Sequence, residues 1–187
     1  MKIIKISAYL FAALSISTSA AGVYAQDMAA PSVKAQTKAI LAVVKHYSAA
    51  IACSDVAPDA NSIAAMIPYK SFDNREDAKF AVIWHGDIGC LGGSGTSSAR
   101  IAVVKVGAGD SFYVSPSESS PQVDEGLPRY VEKVVGATAD SITVDVRDYG
   151  DKDANCCPSL RKRLTLRQSA KGNWAVVSTK PLPPAQY

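Results

Sequence analysis

The sequence predicts an α+β domain: an N-terminal amphipathic helix packed on a twisted antiparallel sheet of about six or seven strands, held by disulfide bridges. Three observations predict it. Apolar residues recur at helical spacing only between Ser32 and Cys53. From Ala78 to Ser178, short runs rich in β-branched and aromatic residues follow one another with turns, and no helix, between them. Four cysteines, Cys53, Cys90, Cys156 and Cys157, sit in a chain that opens like an exported protein.

The opening comes first. Lys2 and Lys5 precede an apolar run from Ile6 to Ile16, then small residues, with Val23-Tyr24-Ala25 before Gln26. This is the pattern of a cleavable secretory leader over residues 1–25, since a spanning helix needs about 20 apolar residues. No cysteine stands at the expected cleavage point, so no lipid anchor is predicted there. The full chain has a net charge of +3; removing residues 1–25 takes two lysines and no acid, leaving about +1. Near-neutral charge gives no electrostatic reason to invoke nucleic acid or an anionic membrane. Export implies an oxidising compartment, periplasmic or extracellular, in which cysteines persist as disulfides.

Residues 26–180 have the size of one domain with one core, and residues 181–187 are expected to form a flexible tail. Val33, Ile40, Val44, Tyr47 and Ile51 form one helical face, with Lys34, Lys38 and Lys45 elsewhere. Pro31 suits the helix entry, and Ser54-Asp55 and Pro58-Asp59 suit its exit. Ser62 to Ile67 is expected to make one short helical turn, stopped by Pro68. Strands are predicted at 78–84, 100–106, 111–114, 129–137, 141–147, 163–167 and 174–178. In 141–147 the alternation is cleanest: Ile142, Val144 and Val146 face in, while Thr143, Asp145 and Arg147 face out. Gly107 to Asp110, Ala137 to Asp140 and Ala170 to Asn173 read as hairpin loops, so neighbouring strands should be antiparallel.

Candidate chemistry is sparse. Asp151-x-Asp153-x-Asn155 imitates the start of a calcium loop, but Cys156 stands where the glycine belongs and Lys162 where the closing glutamate belongs, so turn chemistry is the better reading. Gly92-Gly93-Ser94-Gly95-Thr96 lacks the spacing of a nucleophile elbow and leads into a strand; it reads as a tight turn with positive φ. His46 lies on the helix and is expected at the surface. His85 closes a strand, with Asp87 two residues on and Ser94 in the next loop; a hydrolase could be assembled from them, though nothing in the spacing orients one on another. Arg161, Arg163 and Arg167 share one strand face opposite Leu164 and Leu166, which suits a solvated sheet surface or an acidic partner. No cofactor or metal set is predicted.

The cysteines allow three pairings. Adjacent cysteines bridge only through a strained ring, and side chains alternating along an extended chain would send Cys156 and Cys157 to different partners. The chain also shows GGSGTSSARIAVV (92–104), the later strand ITVDV (142–146), and DKDANCCPS (151–159) before a strand. In these it resembles a group of small exported bacterial proteins that carry a Gly-Gly-Ser-Gly-Thr turn, a β-rich middle and an Asp-x-x-Cys-Cys-Pro-Ser segment. The likeness spans roughly residues 78–166. The group has no assigned activity, so the resemblance implies fold and location and transfers no chemistry. Its members often have the Cys-Cys pair without counterparts of Cys53 and Cys90, which implies Cys53–Cys90 as one bridge and Cys156–Cys157 as the other. Two functions are carried forward. The first is a non-enzymatic periplasmic or secreted binding or inhibitor module with a protein partner, such as an immunity-type protein against an envelope-targeted toxin or hydrolase. The alternative is a small hydrolase using His85, Asp87 and a loop serine. A convex, loop-rimmed face would favour the first, and a deep pocket joining those side chains the second.

Overall fold

The structure is a computed structural model, and it describes residues 29–93, 96–119, 127–154 and 157–184. The expected leader lies outside the described residues. One α-helix, four short 3-10 turns and nine strands are found among them. The helix, α1 (Val33–Ile51), starts where the Ser32 side chain accepts a hydrogen bond from the Ala35 N–H at 3.3 Å. Its buried stripe is Gln36, Ile40, Val44 and Ser48. Val33, expected on this face, is 79% exposed. Gln36 takes the inward place, donating to the carbonyls of Pro31 and Tyr69 at 2.7 and 3.0 Å.

The strands are all antiparallel and form two sheets, not one. The first contains β1 (Ala52–Val56), β2 (Ile63–Ile67), β3 (Lys79–Ile88), β4 (Ser98–Val106) and β5 (Phe112–Val114). The second is a meander of β6 (Tyr130–Ala137), β7 (Ser141–Asp148), β8 (Leu160–Gln168) and β9 (Trp174–Pro181). The single sheet of six or seven strands is therefore corrected, and the reason lies in β3 and β4. Both are buried on both faces. Phe80, Val82, Trp84, Ala102 and Val104 meet Ile40 and Val44 of α1. Ala81, Ile83, Ile101 and Val103 meet Ile142, Val144, Val146, Leu164 and Leu166 of the second sheet. A strand covered on both sides loses its polar alternation, and the result is three layers: helix, sheet, sheet.

Two further corrections follow. The short turn expected over 62–67 is strand β2. The chain also passes from α1 into β1 without a loop: Ala52 ends the helix with extended backbone and pairs at once with Ile88. β1 and β2 share one edge of β3, β1 against His85 to Ile88 and β2 against Lys79 to Val82. Gly86 is required there, since a Cβ would come within 2.7 Å of the Trp84 ring and 3.0 Å of the Ala52 Cβ. On that face the Tyr47 ring meets Trp84 edge-on, 6.2 Å between centroids. The far end of the molecule is closed by the 116–119 turn. Trp174 Nε1 donates to the Glu118 carbonyl at 3.1 Å, Lys105 pairs with the Glu118 carboxylate, and Ser119 Oγ accepts from the Val103 N–H at 2.8 Å. At the expected tail, Leu182 N–H donates to the Arg161 carbonyl at 2.9 Å, and an Arg161 N–H to the Pro183 carbonyl at 3.1 Å.

Candidate binding cleft between the sheets

Because β1 and β2 divide one edge of β3, the link between them, residues 57–62, must leave the sheet and return. Asp59 shapes that excursion, its carboxylate accepting from the N–H groups of Asn61 at 2.9 Å and Ser62 at 3.1 Å. Between this link, β3 and the outer strand β6 lies a cleft of about 620 Å³. Ile63, Ile83, Val131 and Val134 supply apolar lining; Asp59, Ser62, His85, Glu132 and Lys133 supply the polar groups. His85 also borders a neighbouring hollow of about 330 Å³ with Ser97, Arg129 and Tyr130.

Burial lowers the His85 pKa, so the imidazole is neutral at pH 7. Burial would raise the Asp59 carboxyl, but its hydrogen bonds from Ser62 and Asn61 outweigh this and hold it below the usual carboxylate range. Arg161 above all, with Arg147, holds Glu132 low and ionised; the Arg147 and Arg161 contacts are 2.6 and 2.8 Å. Both carboxylates of the cleft are thus ionised and already bonded within the chain, which suits recognition rather than proton transfer.

Asp87 faces a different task. It is 5% exposed, and Oδ2 accepts from the Gly92 N–H at 2.7 Å. That amide is the main reason its carboxyl is held low. Gly89, Gly92 and Gly93 take positive φ in the same turn, at 79°, 75° and 101°, as does Cys90 at 56°. Asp87 therefore caps the glycine turn and does not line the cleft with His85. Ser94 lies outside the described residues.

Cys53 and Cys90 form a disulfide, Cα atoms 5.0 Å apart, joining the start of β1 to the turn after β3. This excludes the crossed pairing. Cys157 is also disulfide-bonded; Cys156 lies outside the described residues, and the adjacent bridge with it. The calcium-like text is turn chemistry at Asp153, whose Oδ2 accepts from the N–H groups of Gly150 and Ser159, each at 2.7 Å. Among the described residues no three His, Cys, Asp or Glu side chains are grouped to hold a metal. His46 is exposed on α1.

The disulfide points to an oxidising, non-cytoplasmic environment. No helix among the described residues is long and apolar enough to cross a membrane. Comparison with protein-family models, curated proteins and solved structures finds no match for this chain. Of the cleft residues, the sequence alone points only to His85; Asp59 reads as a turn signal, and Glu132 and Lys133 carry no signal of their own.

Proposed function

We propose that this chain is a non-enzymatic binding or inhibitor module of the periplasm or extracellular space, exported by a cleaved leader, which takes a protein partner into the cleft between its sheets. An immunity-type protein against an envelope-targeted toxin or hydrolase is one form of this reading. The observation that carries it is the state of the cleft's polar groups. Asp59 and Glu132 are bonded within the chain, and His85 is neutral without a hydrogen-bonded carboxylate among the described residues. Such a surface offers shape, apolar area and fixed polarity, and has no relay to activate a nucleophile.

The test uses the mature chain, residues 26–187, as bait in periplasmic extract, with mass spectrometry of what it retains. Asn61→Trp places a large ring at the rim of the cleft, and His85→Ala removes the imidazole. A partner retained by the wild type and by His85→Ala, and lost by Asn61→Trp, supports the reading. Hydrolysis of a substrate that His85→Ala abolishes, with the fold intact, replaces it with the hydrolase that uses His85, Asp87 and a loop serine.

A further inference from the structure

The second sheet turns one face to the core and the other outward, and the outward face has an unusual charge pattern. Its cross-strand rows are set by register. One row runs Lys133, Asp145, Arg163, Lys180 across all four strands. The next runs Tyr130, Arg147, Arg161. Each row sets two cations directly opposite one another, Arg163 against Lys180 and Arg147 against Arg161. Like charges in that position destabilise a sheet.

Two carboxylates offset part of this repulsion, and each is shared. Asp145, its side chain 2% exposed, binds Arg163 through two hydrogen bonds of 2.7 and 3.0 Å and meets Lys133 at 3.7 Å. Glu132 holds both Arg147 and Arg161. Lys180 is exposed and makes no ion pair among the described residues. These two rows with Glu132 therefore hold five cations and two carboxylates, and Arg167 further along β8 adds a sixth cation, paired with Asp140 at 3.4 Å, although the mature chain as a whole is near neutral. Its guanidinium groups are held in place rather than swinging freely, so ordering them for a ligand costs little.

We propose that this face is a docking surface for an extended acidic segment of a partner protein, rich in Asp and Glu. The chemistry of the face selects carboxylate. Asp145 and Glu132 occupy the forks of Arg163 and Arg161, so an incoming carboxylate meets the exposed ammonium groups of Lys180 and Lys133 against the net positive charge of the rows. The spacing selects an extended chain. Arg161 and Arg163 are two residues apart on one strand, about 6.8 Å, which is the spacing of alternate side chains in an extended acidic segment. Lys180 stands on the adjacent strand β9 and Lys133 on β6, two strands away beyond β7. Glu132 and Lys133 also border the cleft, whereas Arg163 and Lys180 lie outside its lining, so Lys180→Glu tests this face separately from the cleft.

Poly-L-glutamate is the probe, added to the mature protein at about 0.01 M ionic strength, where surface charge is little screened. Binding is expected, with the logarithm of the affinity falling linearly as the logarithm of salt rises. Lys180→Glu should weaken it by about tenfold, and Lys133→Gln/Lys180→Gln by a similar factor. Both positions are exposed, and circular dichroism checks that the fold is kept. Asn61→Trp should leave this binding unchanged, which separates its failure from failure of the cleft. Absence of binding, or binding indifferent to both lysine variants, overturns the proposal. Vesicles of phosphatidylglycerol that bind where poly-L-glutamate does not would overturn it in favour of a phosphate-bearing membrane surface.

Discussion

The two sheets lie against each other, yet they are built on opposite rules. The first is covered on both faces, by α1 and by the second sheet, and its central strands have no polar alternation: Ala81 through Trp84 and Ile101 through Val104 are all buried. The second is covered on one face, and β7 alternates strictly, Ile142, Val144 and Val146 inward against Thr143, Asp145 and Arg147 outward. The first sheet thus draws its stability from two apolar layers. The second has one apolar layer and an outer surface of charge.

The comparison is broken most directly by placing a charge at neighbouring positions. In β4, Val103→Asp and Val104→Asp should each cost more than about 4 kcal/mol and prevent folding, because each buries an unpaired carboxylate in a different layer. Circular dichroism and urea unfolding report this; a folded Val103→Asp or Val104→Asp protein would mean that one face of the first sheet is open. Next in size is the disulfide. Cys53 and Cys90 are 37 residues apart, and Cys53→Ala/Cys90→Ala should lower stability by about 3–4 kcal/mol, chiefly by freeing the unfolded chain. Peptide mapping without reduction should recover residues 53 and 90 in one linked product.

Smaller is the effect of Asp145→Asn on the outer face. Arg163 first, then Lys133, depresses the Asp145 pKa in the folded state. Its contribution is therefore complete above the unfolded carboxylate value, about 3.9, and is lost as pH falls through the lower folded value. Asp145→Asn should lower the melting temperature at pH 7 and flatten its decline on acidification. Parallel melting curves at pH 7 and pH 3 test both expectations. Smallest is Thr143→Asp, one residue from the buried Val144. It should change stability by no more than about 0.5 kcal/mol, since its face is solvated and rich in cations. A large loss there would show that something covers the outer face.

Much of this contrast could be read from the sequence. SITVDVR alternates, and its inward set is the observed one. AKFAVIW and RIAVVKV are nearly continuous in apolar residues, which is the mark of strands buried on both sides, and it argues for a second layer beyond the helix. Local hairpin patterns made all seven predicted strands legible, but they do not say that the chain leaves one sheet and begins another between Val114 and Tyr130. β2, with the sequence IAAMI, is not legible as a strand, because five apolar residues fit a buried turn or a buried strand equally well. The cleft was not legible. It joins Asp59, His85 and Glu132, which meet only through tertiary packing. The arginine stripe of β8 was visible by alternation, whereas its carboxylate partners depend on register with other strands, which one strand's sequence does not carry.

The two sheets also draw on separate, consecutive lengths of chain: α1 through β5 ends at Val114, and β6 through β9 begins at Tyr130. As the chain becomes available from its N-terminus, the first sheet can form before the second is present. For that interval Ala81, Ile83, Ile101 and Val103 face water as a bare apolar wall, with nothing of the same molecule yet available to cover it. Two nascent copies held in that state would each offer the other the surface it lacks, and association through that wall competes with completion of the fold. The order of the elements along the chain makes the last four strands the step at which a newly made molecule ceases to be sticky.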